Sequence, residues 1–245
     1  MIRTLWFYCS FLTVTAILAT VMLMLTPVDR SGTFRRSISI FWGQCAVTLA
    51  GIDLQADMTA VPQNGPAVFV FNHQSQFDIP IAMLLLAKQY PAFVAKKSLF
   101  SIPLLGWCFR VGGHIPIDRR NSRQAMRSLD NAAKIARAGR SIIIYPEGTR
   151  QKDTSALGEF RIGGILLALK TGLPVVPVVL EGTGDILPKG NITLRPRQVV
   201  TARALPPLDT ALYTLRDRDR FRDDLHTAMS QTYQEMRTCR TRRTS

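Results

Sequence analysis

Three short apolar runs constrain the fold of this chain more than any other feature. They cover residues 67–71, 141–145 and 175–180. A continuous run of four to eight apolar residues, rich in β-branched and aromatic side chains, is typical of a strand that is buried on both faces. Stretches with helical spacing, residues 125–138 and 162–170, lie between them. This alternation predicts an α/β fold with a mixed, partly parallel central sheet flanked by helices.

The N-terminal region is apolar enough to meet a membrane. Residues 4–28 carry no charge and exceed the about 20 residues that a spanning helix needs. A cleaved signal peptide is the alternative, but the run is long for one and no small-residue cleavage site follows it. Residues 37–52 are also uncharged, and they fit an interfacial helix or a core helix. We expect a membrane-associated helical hairpin, with the main domain on the cytoplasmic side because arginines follow the first run.

These patterns divide the chain into three predicted segments. They are an N-terminal membrane-associated two-helix segment, an α/β domain, and a C-terminal helix with a basic tail, at residues 1–58, 59–213 and 214–245. The formal net charge of +14 favours anionic partners. Aromatic residues are not interleaved with the basic ones and no nucleic-acid-binding signature occurs. Membrane lipids and a phosphorylated substrate are therefore expected rather than nucleic acid.

His73 and Asp78 directly follow the first apolar run. Five residues correspond to about 140° of helix rotation, so the two side chains meet only if His73 lies in the loop and Asp78 begins the helix. A carboxylate on one imidazole nitrogen fixes the tautomer and leaves the other nitrogen free to take a proton. The alternative is a polar loop residue followed by a helix cap. Ser75 lacks the glycines of a nucleophile elbow, which disfavours it as a nucleophile.

A second polar cluster follows the second apolar run. Gly148 lets the backbone approach a ligand, Thr149 offers a hydroxyl, and Arg150 can grip a phosphate in a fork. Lys97 and Arg119 also follow predicted strands. Each of these alone fits an ordinary charged surface, but cations at several strand ends suggest one anionic ligand.

Four short blocks in a fixed order resemble the motif blocks of the glycerolipid acyltransferase family. They are His73-x4-Asp78, Ile117-Asp-Arg119, Glu147-Gly-Thr-Arg150 and Val176-Pro-Val178. The likeness covers roughly residues 65–181 and is closest to the 1-acyl-sn-glycerol-3-phosphate acyltransferases. The N-terminal hairpin is similar to the two-helix membrane motif of this family.

The resemblance implies transfer of a fatty acyl group from acyl-CoA or acyl carrier protein to the free hydroxyl of 1-acyl-sn-glycerol-3-phosphate. The product is phosphatidate, made for phospholipid biosynthesis at the cytoplasmic face of the inner membrane. By likeness, His73 is the general base and Asp78 orients it, and the acceptor attacks the thioester directly. The positions that match acceptor-binding residues are Lys97, Arg119, Glu147, Gly148, Thr149 and Arg150.

The same resemblance implies no metal and no bound cofactor, the acyl thioester being a co-substrate. The four cysteines and three histidines are scattered, which fits this expectation. One departure is Arg161 after Phe160, where relatives often carry lysine. The alternatives are another lyso-lipid acceptor, such as a lyso-ornithine lipid, and a non-catalytic basic membrane-binding protein. The intact His73 and Asp78 pair argues against the second.

Overall fold

The computed structural model describes residues 1–118, 122–195 and 197–244. The chain begins with two long helices, α1 (Ile2–Leu25) and α2 (Thr33–Ala50), which pack against each other as the predicted hairpin. The indole N–H of Trp42 in α2 donates to the Thr15 hydroxyl of α1 at 3.0 Å. In the described part of the chain, α1 is the one helix that is long and apolar enough to cross a membrane.

The central sheet confirms the predicted α/β class. In the part of the chain that the structure describes, it has seven strands in the order β1-β7-β6-β2-β5-β3-β4. Their bounds are β1 Asp53–Asp57, β2 Val68–Phe71, β3 Ala92–Lys96, β4 Ile115–Ile117, β5 Ile142–Ile144, β6 Val175–Glu181 and β7 Val199–Ala204. Strands β6, β2, β5, β3 and β4 are parallel, whereas β7 pairs antiparallel with β6 and parallel with β1. The sheet is therefore mixed and mostly parallel.

Helices cover both faces of this sheet. They are α3 (Asp78–Leu85), α4 (Leu105–Val111), α5 (Ser122–Arg137), α6 (Ile162–Thr171), α7 (Thr183–Ile186) and α8 (Arg218–Thr244). Successive side chains of a strand point to opposite faces. In β2, Phe69 and Phe71 accordingly pack with α1, α2 and α3, while Val68 and Val70 pack with α5, α6 and α8. The strand is buried on both faces, which explains its uninterrupted apolar sequence.

Two elements join the core from outside the predicted central segment. Strand β1 belongs to residues 1–58, yet it pairs with β7 at the edge of the sheet. Helix α8 packs on β6 and α6, and it continues to Thr244 through most of the predicted basic tail. The division into three segments stays a prediction, and the core draws on all three of them.

Candidate active site

The loop after β2 is fixed at its first residue. The side-chain amide of Asn72 donates to the Leu180 carbonyl and accepts from the Leu180 N–H, both at 2.8 Å. Leu180 lies in β6, the neighbouring strand. This pair of hydrogen bonds locks the carboxyl end of β2 to β6, so the chain enters the loop in one orientation. The next residue is His73, at the edge where open α/β sheets place their sites.

The structure brings His73 and Asp78 together. The Nδ1 atom of His73 lies 2.7 Å from Oδ2 of Asp78, the first residue of α3. The backbone N–H groups of Gln74 and Ser75 donate to the same oxygen at 2.7 and 2.8 Å. The Asp78 side chain is fully buried, whereas that of His73 is 18% exposed. Three donors thus hold the carboxylate, and within the described residues no group bonds the Nε2 atom of His73, which is available to a substrate.

Glu147 lies behind this loop. Its side chain is buried, and Oε1 accepts the backbone N–H of His73 at 3.0 Å. Burial raises the pKa of Glu147 to about 7, although the hydrogen bond from His73 opposes that rise. The Gln151 N–H donates to the His73 carbonyl at 2.9 Å, which ties the two segments a second time. The carboxylate of Glu147 therefore supports the histidine loop, and its predicted contact with substrate stays a prediction.

The turn that carries Glu147 requires glycine at its next position. Gly148 has φ +73°, and a Cβ there would lie 2.8 Å from Cδ of Arg161. The Arg161 guanidinium packs across the turn and donates to the Glu147 carbonyl at 3.2 Å. Any larger residue would be strained and would displace Arg161. The structure thus gives Gly148 a steric role beside its predicted part in ligand binding.

Cations surround the same turn. Lys189 Nζ donates to the Thr149 hydroxyl at 3.1 Å. Among the described residues, no carboxylate pairs with Arg150, Arg161 or Lys189. An unpaired cationic cluster of this kind suits a phosphate group. The sequence did not predict a role for Lys189, because the residues next to it in the sequence form no motif. Its position beside Thr149 depends on contacts between distant parts of the chain.

Two other predicted binding residues stand apart from this turn. Lys97 Nζ lies 3.7 Å from Asp118 and 3.1 Å from the Gln124 amide oxygen, and its side chain is 59% exposed. Lys97 is thus placed beside the segment that leads into Arg119. Arg119 itself lies outside the described residues. The predicted roles of these two residues in acceptor binding stay predictions.

Ser75 has a structural environment. Its side chain is buried, its hydroxyl donates to the Leu187 carbonyl at 3.1 Å, and it accepts the Phe77 N–H at 3.4 Å. Both of these hydrogen bonds are to backbone groups, and the expectation that Ser75 is not a nucleophile stays a prediction. Across the described residues, no three His, Cys, Asp or Glu side chains are grouped so as to hold a metal ion.

At the carboxyl edge of the parallel strands, His73 and the buried carboxylate of Asp78 thus lie next to the cationic turn, an arrangement typical of enzyme sites in α/β folds. The Acyltransferase family model matches residues 55–181, and the chain belongs to this family. The crystal structure of the 1-acyl-sn-glycerophosphate acyltransferase PlsC from Thermotoga maritima superposes with a TM-score of 0.84 at 26% identity. That match covers 96% of this chain and 95% of the other.

Curated relatives give the same grouping. A chloroplastic 1-acyl-sn-glycerol-3-phosphate acyltransferase from Brassica napus is 36% identical over 159 residues, which are 64% of this chain and 45% of the relative. A 1-acyl-sn-glycerol-3-phosphate acyltransferase from Salmonella typhimurium is 31% identical over 168 residues, 67% of this chain and 66% of the relative. The chain therefore spans less than half of the plant protein and about two thirds of the bacterial one.

Proposed function

We propose that the protein transfers a fatty acyl group from a thioester to the free hydroxyl of 1-acyl-sn-glycerol-3-phosphate, forming phosphatidate. The observation that carries the proposal is the His73–Asp78 pair, in which Asp78 holds Nδ1 and leaves Nε2 available. The plant, bacterial and Thermotoga relatives are named as acyltransferases of this kind, which supports it. Phosphatidate is a precursor in phospholipid biosynthesis, and the proposal makes the chain an enzyme of lipid metabolism.

In the proposed reaction His73 acts as a general base. Its Nε2 atom takes the proton of the acceptor hydroxyl while the oxygen bonds to the thioester carbonyl carbon. The C–S bond then breaks, and the imidazolium returns the proton to the departing thiolate, so that an ester and a free thiol result. Asp78 stabilises the imidazolium and holds its tautomer. No acyl-enzyme, metal or bound cofactor takes part in this route.

The acceptor phosphate is assigned to the cationic turn. Arg150 offers a planar fork for phosphate oxygens, and Lys189, bonded to Thr149, and Arg161, bonded to Glu147, add charge at the same turn. The predicted contributions of Lys97 and Arg119 belong to the same proposal. A phosphate held there supplies binding energy and fixes the acceptor relative to His73.

We also assign the protein to a membrane, with the catalytic domain on the cytoplasmic face of the inner membrane. The support is α1, whose outward face exposes large apolar side chains. They include Leu5, Trp6, Leu12, Ile17, Val21 and Met24. An exposed apolar surface of this extent suits lipid. Both proposed substrates carry acyl chains, so attachment to the bilayer would place the site where they are found.

The test is an acylation assay on purified protein with a panel of acceptors and donors. Lysophosphatidate, lyso-ornithine lipid and monoacylglycerol are each offered with acyl-CoA and with acyl carrier protein, and the His73→Ala variant is the matched control. We expect lysophosphatidate to be acylated fastest and the variant to lose that activity. If lyso-ornithine lipid were acylated fastest, it would be the acceptor in place of lysophosphatidate. If no combination of acceptor and donor gave acylation, the protein would be a non-catalytic member of its family.

A further inference from the structure

A tyrosine from the C-terminal helix contacts the loop that carries the catalytic pair. Tyr233, in α8, has a fully buried side chain, and its hydroxyl accepts the side-chain N–H of Gln74 at 2.7 Å. The same hydroxyl donates to the Thr154 carbonyl at 2.6 Å. Gln74 follows His73 directly and is itself buried. The contact joins residues that are 159 positions apart in the sequence.

Gln74 also bonds Asp78 through its backbone. Its N–H donates to the Asp78 carboxylate oxygen that holds the His73 ring. The position of the Gln74 backbone therefore sets one of three hydrogen bonds to that oxygen. Tyr233 bonds the side chain of Gln74, and the main chain of Gln74 bonds Asp78. Gln74 therefore links Tyr233 to Asp78.

The segment that accepts the Tyr233 hydroxyl is part of the site as well. Thr154 lies three residues after Gln151, whose N–H donates to the His73 carbonyl. The Arg237 guanidinium, one turn after Tyr233 in α8, also donates to the Thr154 carbonyl. Tyr233 thus bridges the loop that carries His73 and Gln74 and the segment that runs from Gln151 to Thr154.

The C-terminal end of α8 is itself anchored. Arg240 pairs with the buried carboxylate of Glu181 at 2.9 Å and with Asp185 at 2.6 Å. Glu181 ends β6, the strand that also holds Asn72. Because Phe221, on an earlier turn of α8, is buried in the core, the helix is fixed at both ends and presents Tyr233 from a rigid element.

We propose that Tyr233 is a positioning residue for acyl transfer, acting through Gln74 to hold Asp78 and His73 in their reactive arrangement. The inference rests on the proposed function for its kinetic consequence. A buried, fully bonded hydroxyl between two loops restricts both of them, and small displacements of a base reduce its rate of proton transfer. The hydroxyl makes no hydrogen bond to Arg150, Arg161 or Lys189, the cations to which the phosphate is assigned, so its loss should act on the reaction step.

The experiment compares Tyr233→Phe with Tyr213→Phe in the full-length protein. Tyr213 is a matched control, because its hydroxyl donates to Asp224 at the surface, outside the site. Tyr233→Phe removes the hydrogen bonds to Gln74 and to Thr154, and we expect it to lower kcat about tenfold, with both KM values within about twofold of the wild type. Tyr213→Phe keeps the kcat of the wild type. A KM increase without a fall in kcat, or equal effects of the two changes, would overturn the proposal.

Two further measurements separate positioning from general loosening. The Gln74→Met variant removes the hydrogen bond between Gln74 and Tyr233 from the other side, so we expect the double variant to be no slower than the slower single variant. The ring signals of His73 in the NMR spectrum, assigned among three histidines with the His73→Ala variant, should move in Tyr233→Phe and not in Tyr213→Phe. The inference would be contradicted if the rate losses of the two single variants multiplied in the double variant. It would also be contradicted if the His73 signals did not move in Tyr233→Phe.

The NMR measurement also keeps the two proposals apart. It reports the environment of the His73 ring whether or not lysophosphatidate is the acceptor. If the wild type failed to acylate lysophosphatidate while the His73 signals still moved in Tyr233→Phe, the proposed function would fail and the positioning role would stand.

Discussion

The backbone N–H of His73 donates to the buried Oε1 atom of Glu147 over 3.0 Å. The ring of the same histidine is bonded by Asp78. Two carboxyl groups therefore hold His73, Glu147 through its main chain and Asp78 through its side chain. Asp78 accepts three hydrogen bonds at Oδ2, and Glu147 accepts the His73 N–H at Oε1. The other oxygen of each group, Oδ1 of Asp78 and Oε2 of Glu147, is buried without a hydrogen-bond partner among the described residues.

Glu147 makes the stability of the protein depend on pH. Its pKa in the folded state is raised from 4.5 to about 7 by burial, so the folded state binds this proton more tightly than the unfolded chain. The free energy of unfolding should therefore fall as the pH rises from about 4.5 to about 7. At about 1.4 kcal/mol per pKa unit, the loss attributable to this group is roughly 3 kcal/mol.

The measurement is urea unfolding of wild type and Glu147→Gln at several pH values across that window. The variant keeps an oxygen that can accept the His73 N–H and cannot ionise, so its free energy of unfolding should change less with pH than that of the wild type. Parallel curves for the two proteins would show that Glu147 does not titrate in this range.

His73 and Asp78 should behave as one unit. His73→Ala removes the base, and general-base catalysis contributes about 10²- to 10⁴-fold. Asp78→Asn keeps an oxygen for the backbone donors of Gln74 and Ser75 but loses the charge that stabilises the imidazolium. Once the base is gone its orienter has no effect, so the double variant should be hardly slower than His73→Ala alone.

Steady-state rates of the four proteins test this coupling, and thermal melts show whether each variant is folded. If all variants fold and the two rate losses simply multiply, the residues act independently, which would contradict the base-and-orienter assignment.

Ser75→Ala should keep most of the activity. The hydroxyl bonds the Leu187 carbonyl in a buried site, so its removal costs about 1 kcal/mol of stability rather than a catalytic step. Mass spectrometry of the wild type incubated with acyl donor alone should find no acylated serine. A stable acyl adduct on Ser75 would contradict direct transfer and indicate a covalent acyl-enzyme mechanism.

Lys189→Met should raise the KM for lysophosphatidate about tenfold, because a charge-assisted contact with the phosphate is lost. The KM for the acyl donor should stay unchanged. Lys134→Met is the matched control, since Lys134 is an exposed lysine on α5, away from the cationic turn. An increase confined to the KM for acyl-CoA would assign Lys189 to the donor phosphates instead.

The sheet was predictable where its strands are buried. Strands β2, β5 and β6 are continuous apolar runs because helices cover both of their faces, and each was located within two residues. Strand β1 carries Asp53, Gln55 and Asp57, and most of it is exposed at the sheet edge. Its sequence has neither an apolar run nor a clear alternation, so only its pairing with β7 identifies it.

The site was predictable to the extent that its chemistry is local. His73 and Asp78 are five residues apart and lie in one loop, so spacing and motif order were enough to pair them. The direction of the Glu147 carboxylate, the contact of Lys189 with Thr149 and the contact of Tyr233 with Gln74 join distant segments. Such contacts depend on strand order and helix docking, which sequence periodicity does not encode.

The packing of α1 on the catalytic domain limits how this protein can be handled. Phe7 of α1 is buried, and its ring centre lies 5.7 Å from that of Phe77, the residue directly before Asp78. Deleting α1 to obtain a detergent-free enzyme would expose Phe77 to solvent at the start of α3, beside the carboxylate that holds the base. The apolar helix is thus part of the wall of the catalytic loop, and solubilisation by truncation would disturb the chemistry it was meant to isolate.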